Sequence, residues 1–325
     1  MAESNQRNYP VTGFILVGFP GLQDLESRLC SLFLVVYILI VVGNVFVLYI
    51  VTTDKRLHAP MYFLLGNLAA MDVVLTSSVI PRMLARLISD AKIIVWRHCF
   101  FQMYFFHSMS AAKMFLFSLM AYDRSVAICN PHHYLSLTRD AIFVKMAGLT
   151  WLLGMSCYLP PVVLASLFPF CGANEVYNSF CELFSVMSLI CTDAVSVKFL
   201  NLVLNVVLVL TNFVFIVYSF IKIAKSVNRI VRSERKKALS TCVALMVVMS
   251  LFFLSALLYS TIFYISRIPP IIGVASGILY VTLSPLVSPI IYILTAKEIK
   301  EQIIKLIRVK KIFPHVGSTV ATESH

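Results

Sequence analysis

A chain of 325 residues that is 59% hydrophobic and only 13% charged is not composed like a soluble domain, in which about half the residues are apolar and about a quarter charged. Its net charge of +12 would suit a nucleic-acid ligand, but the basic residues sit between long apolar runs, where membrane topology accounts for them. No nucleic-acid partner is expected.

Residues 1–28 are polar and mixed, without the basic start, apolar run and small-residue cleavage site of a secretory leader. They read as an extracellular N-terminus, and no Asn-X-Ser/Thr sequon occurs in the chain. Seven apolar runs follow, at 29–52, 61–87, 99–128, 142–164, 198–224, 238–265 and 272–294. Each supplies the roughly 20 residues that cross about 30 Å of hydrocarbon. Lipid offers the backbone no hydrogen bonds, so these runs must be helices. The expected fold is an all-α membrane protein, a bundle of seven spanning helices over 29–294 with a cytoplasmic tail at 295–325. In that tail Ile299, Ile303, Leu306 and Ile307 recur at helical spacing among lysines. This predicts a short amphipathic helix over 296–313, lying on membrane lipid. The last residues, 314–325, are small and polar and carry no packing signal. With the N-terminus outside, 18 basic residues fall on the cytoplasmic side and 8 on the outer side. That asymmetry favours this orientation in the plasma membrane.

The chain carries no nucleotide-binding glycine loop, no His-Glu-X-X-His and no Gly-X-Ser-X-Gly. No enzyme activity, cofactor or metal is expected, and the adjacent His132 and His133 read as solvated loop residues. A transporter would show an inverted repeat or paired broken helices, and neither is visible.

Of eight cysteines, Cys30, Cys129, Cys157 and Cys242 lie in or at the ends of spans and read as small buried hydrophobes. Cys99, Cys171, Cys181 and Cys191 face the oxidising side, where four cysteines allow three pairings. Three of these sit in the loop at 165–197, long enough to fold over the mouth of the bundle.

Polar residues inside the spans are few. Lys113 should cost about 2.5–3.5 kcal/mol to insert and so needs a partner. It sits about 16 Å above the cytoplasmic end of its span, and Asp72 sits about 16 Å up its own. A buried Lys113–Asp72 pair follows, with Ser288 nearby. His107 lies about 12 Å below Cys99, a depth that suits a ligand cavity, with Ser110 one turn deeper and Phe106 and Met103 as apolar contacts. Asn201, Asn205 and Asn212 form one stripe, facing ligand or neighbouring helices. Tyr259, Thr261 and Tyr264 are polar handles near the outer end of the sixth span, and Arg267 beyond them is either a ligand counter-ion or an exposed cation.

Several motifs stand in order along the spans. They are Gly43-Asn44, LHAPMYFLL at 57–65, Leu68-Ala69 with Asp72, MAYDRSVAIC at 120–129, KALSTC at 237–242 and SPLVSPIIY at 284–292. Together they resemble the rhodopsin-like G-protein-coupled receptors, and specifically the vertebrate odorant (olfactory) receptors. GFPGL at 18–22 and Gln102-Met103 with His107 resemble the fish-like class I branch, whose ligands are often small and water-soluble, carboxylic acids among them. The resemblance implies a small-molecule odorant as ligand. It also implies a stimulatory olfactory G protein that raises cyclic AMP, and a place in the cilia of olfactory sensory neurons. It selects the disulfides Cys99–Cys181 and Cys171–Cys191. It assigns coupling to Asp123 and Arg124, with Tyr218, Lys237 and Tyr292 in support, and a core polar site to Asn44, Asp72 and Ser288. Most such receptors use the aspartate in the place of Asp72 to hold a sodium ion, and odorant receptors commonly carry an acid where this chain has Lys113. A fixed ammonium in place of the sodium is the expectation here. Phe106 stands where aminergic receptors carry an acid, which speaks against an amine bound in that way. Ser125 for Tyr, Ser288 for Asn, and the missing Ser-His after Cys242 are the other departures.

Overall fold

The computed structural model describes residues 13–54, 57, 59–89, 91–139, 142–170, 174–192, 195–226, 232–264, 269–295 and 299–302. Seven long helices run through the described residues: α1 (Glu26–Thr53), α2 (Pro60–Ser89), α3 (Trp96–Cys129), α5 (Ile142–Ser166), α7 (Val195–Ser226), α8 (Arg232–Tyr264) and α9 (Pro270–Thr295). Two short helices join them, α4 (Pro131–Arg139) after α3 and α6 (Leu183–Met187) in the long outer loop. Most long helices overrun the expected spans by a few residues, and α8 starts at Arg232, ahead of 238.

Six of the seven are long and apolar enough to cross a membrane. The exception is α3, whose 34 residues include Gln102, His107, Ser108, Ser110, Lys113, Asp123 and Arg124. Its position explains how it tolerates them. It packs against α2, α5 and α7 and touches α4 and α8, so most of its length is hidden from lipid. Helices α1 and α7 are the converse, with exposed Leu32, Val35, Val42, Val206, Leu210 and Val214 along faces that lipid would cover. Close approach of α3 and α5 depends on Gly154, where a Cβ would lie 2.5 Å from the Ala112 backbone nitrogen.

The outer end carries a small sheet that composition did not announce. Strand β1 (Gly13–Leu16) pairs antiparallel with β2 (Ile93–Val95) and parallel with β3 (Glu175–Val176). The signal was present in Phe14-Ile15-Leu16-Val17. Phe14 and Leu16 are buried while Ile15 and Val17 are partly exposed, the two-residue period of a half-buried strand. These side chains join Ile94, Phe100, Val176 and Val186 in an outer core under the loop. Cys99–Cys181 ties that loop to the start of α3, with Cα atoms 5.3 Å apart. Cys191 is also disulfide-bonded, while Cys171 lies outside the described residues. Arg86 fastens the N-terminal segment: Nη2 donates to the Val17 carbonyl at 2.8 Å and Nη1 to Glu26 at 2.6 Å. Gly18 is needed there, because its φ is +77° and a Cβ would fall 2.5 Å from the guanidinium.

Of the tail, 299–302 is described. Ile299 is buried and Gln302 donates to Asp54. The amphipathic helix expected over 296–313 otherwise lies outside the described residues, as does 314–325.

Candidate functional site

Helix α3 carries three buried polar clusters at successive depths. The outermost centres on His107. Its ring stacks on Tyr158 from α5, with centroids 4.9 Å apart and planes at 21°. The Tyr158 hydroxyl donates to Asn205 Oδ1 at 2.8 Å, and Asn205 in turn donates to the Asn201 carbonyl at 2.8 Å. Phe106 is enclosed by Phe180, Tyr259 and Tyr280, at centroid distances of 5.1, 6.5 and 5.8 Å. Ser110 is buried one turn below, its hydroxyl spent on the Phe106 carbonyl at 2.8 Å. From the loop above comes Glu182, whose Oε1 lies 3.7 Å from His107 Nε2. Neither atom has a hydrogen-bond partner among the described residues. Burial pushes the Glu182 carboxyl up to about 7, against the opposing pull of the Phe184 and Ser185 backbone N–H groups.

The middle cluster centres on Lys113, which is 0% exposed. Its Nζ donates to Asp72 Oδ1 at 2.5 Å and to Ser284 Oγ at 2.9 Å, and lies 4.9 Å from the centroid of the Phe252 ring. Ser288 Oγ donates to the second oxygen of Asp72 at 2.9 Å. Asn44 braces the wall by donating to the Pro285 carbonyl at 2.9 Å. A sodium ion does not fit these residues. Both Asp72 oxygens already accept bonds, and a second cation would sit against the ammonium.

At the base, Arg124 bonds its neighbour Asp123, which also accepts from the Tyr134 hydroxyl of α4 at 3.0 Å. A pocket opens there between Arg124, Met120, Thr241, Leu245 and Tyr292. Tyr292 is buried, and its hydroxyl has no partner among the described residues.

Several expected site residues lie elsewhere. Met103 is buried in the outer core with Phe14 and Phe100, apart from the Phe106 cluster. Thr261 is exposed on the outside of α8, its hydroxyl turned back to the Leu257 carbonyl at 2.7 Å, so it does not line the interior. Tyr218 is 63% exposed on α7 and away from the bundle centre in this conformation. Asn205 and Asn212 bond across helices, Asn212 accepting from Ser118 of α3 at 2.6 Å. This matches the helix-joining reading of their stripe. Arg267 lies outside the described residues, as do the side chains of Lys237 and Tyr264. Sequence reasoning passed over Glu182, Phe180, Tyr280, Tyr158 and Ser284. Glu182 had a signal, an acid directly after Cys181 in an otherwise apolar stretch.

The family model described as olfactory receptor matches residues 33–310. The chain is 35% identical over 319 residues to Olfactory receptor 6K3 of Homo sapiens, covering 98% of this chain and 95% of that relative. It is 37% identical over 310 residues to Olfactory receptor 13D1 of Homo sapiens, covering 93% and 87%. It is 33% identical over 311 residues to Olfactory receptor 1M1 of Mus musculus, covering 94% and 97%. These matches identify a family and not a branch within it.

Proposed function

Because this chain belongs to the olfactory receptor family, and is a multi-pass membrane receptor rather than an enzyme, we propose that it binds a small odorant beside His107 and Phe106 and signals through Asp123–Arg124. The observation that supports this reading is the ladder on α3. One helix carries His107 near the outer end, Lys113 at mid-depth and Arg124 at the base, all buried or nearly so against other helices. The outer cluster has the character of a small-molecule site, largely aromatic with a few convergent polar groups. The base has an arginine held by a neighbouring acid beside a pocket, with α8 along one wall. Helix α8 packs mainly on α9 and only slightly on α3. A groove of about 670 Å³ separates it from α7. A helix so seated can swing as one piece, and an odorant that binds the opened state better shifts the balance toward it.

The partner in this reading is a stimulatory olfactory G protein that raises cyclic AMP. The N-terminus faces outside, in keeping with the charge asymmetry and with a disulfide at that end, and the working place is the sensory cilium. Lys113 replaces a mobile cation, so the core is closed by a fixed charge. The carboxylic acids that the class I resemblance allows are disfavoured above pH about 7, where Glu182 sets a second carboxylate beside His107.

The test is a cyclic-AMP screen in transfected cells with small alcohols, aldehydes, acids and amino acids. A concentration-dependent rise with at least one of them supports the proposal. Silence to all of them, with the receptor stained at the cell surface, contradicts it.

A further inference from the structure

Glu182 Oε1 and His107 Nε2 face each other, each without a hydrogen-bond partner among the described residues. Glu182 is 0% and His107 6% exposed, so water does not serve them freely. Their facing atoms are 3.7 Å apart, beyond hydrogen-bond reach, and a buried polar atom left without a partner costs about 1–3 kcal/mol. Both groups are held in place by their other contacts. Glu182 Oε2 accepts from the Ser185 backbone nitrogen at 2.9 Å and so caps α6. The His107 ring is fixed by its stack on Tyr158, which Asn205 anchors.

An oxygen atom about 2.8 Å from each would complete both bonds, and the kind of oxygen matters. We infer that Glu182 and His107 together read a hydroxyl group, which donates its proton to Glu182 Oε1 and accepts the N–H of His107 Nε2, so that this receptor prefers alcohols. The inference rests on the outer cluster being the odorant site. A ligand carboxylate would bring two carboxyl groups together, with like charges close in a buried place. An aldehyde oxygen only accepts, so above pH about 7, where Glu182 has lost its proton, it finds a donor in His107 alone. An ammonium only donates, and would oppose the His107 N–H. The hydroxyl is the one group among these that serves both partners at once.

The experiment compares cyclic-AMP concentration–response curves for straight-chain alcohols with aldehydes, carboxylic acids and amines of the same chain length. It uses cells expressing the full chain or its Glu182→Gln variant. In the wild type, alcohols should act at concentrations about tenfold lower than their matched counterparts, the equivalent of one lost hydrogen bond. Gln keeps the cap on α6 through its carbonyl oxygen and turns its NH₂ toward the gap, which then holds two donors. Alcohols should weaken about tenfold and aldehydes gain, inverting the order. A purely capping role for Glu182 would move all four classes together. Acids, aldehydes or amines that outperform matched alcohols in the wild type overturn the inference and leave the receptor reading standing. So does an unchanged order or a uniform loss in the variant. Silence of the surface-expressed wild type to all four classes overturns the receptor reading itself, and this inference with it.

Discussion

Lys113 is costly to bury, and its neighbours offset that cost. Asp72 takes its charge, Ser284 a second donor and the Phe252 ring a third side. A buried pair of this kind need not stabilise the fold, but removing one member strands the other, at about 3–5 kcal/mol. Lys113→Met and Asp72→Asn should each lower the unfolding temperature of the detergent-solubilised receptor sharply. The double variant should be less damaged than the sum of the two. Strictly additive losses would mean that the pair does not act as a unit. Glu182 carries a second residue-level prediction. Its folded carboxyl holds a proton up to about 7, against 4.5 in its ordinary state. At this group the folded state therefore binds more protons in that window, and its contribution to stability falls as pH rises through it, by roughly 3 kcal/mol. The charged or titratable groups near it are His107 and Tyr259, and Phe184, Ser185 and Leu183 supply the opposing hydrogen bonds. Between pH 4.5 and 7 the melting temperature of the wild type should fall relative to that of Glu182→Gln as pH rises. Equal slopes would remove Glu182 as the cause.

At the level of elements, the long helices were legible because apolar length alone requires them. The pairing of Lys113 with Asp72 was legible because depth along a helix follows from residue count. Strand β1 was harder to find, since four residues of alternating burial stand in a polar segment and only the pairing with β2 and β3 makes them a strand. The direction of a side chain around a helix was also beyond reach where the whole circumference is apolar. Thr261 and Tyr218 turned outward for that reason, because α7 and α8 each present a broad lipid-facing surface. Packing between elements yields its own prediction. In Gly154→Ala the new Cβ would meet Ala112 backbone, which cannot rotate away as a side chain could. The α3–α5 contact must open, at about 1–3 kcal/mol, and Tyr158 one turn along α5 would shift against His107. A lower melting temperature together with weaker odorant responses is the expected outcome. An unaltered melting temperature would show that the two helices do not meet there.

The molecule is organised around α3, which packs against α2, α5 and α7, touches α4 and α8, and holds polar groups at three depths. The lid pinned by Cys99–Cys181 brings Glu182 to the top of that ladder, and α4 brings Tyr134 to its foot. The motifs made the foot and the middle readable in the sequence. The top was readable only in part, because Glu182, Phe180 and Tyr280 come from a loop and a distant helix that folding alone brings to His107. In the proposed function, ligand acts at this top. The most direct test is the cyclic-AMP concentration–response of His107→Ala against wild type at matched surface density, with an agonist found by the screen. A loss of potency of about tenfold or more is expected, with the signalling foot intact. An unshifted curve would contradict it.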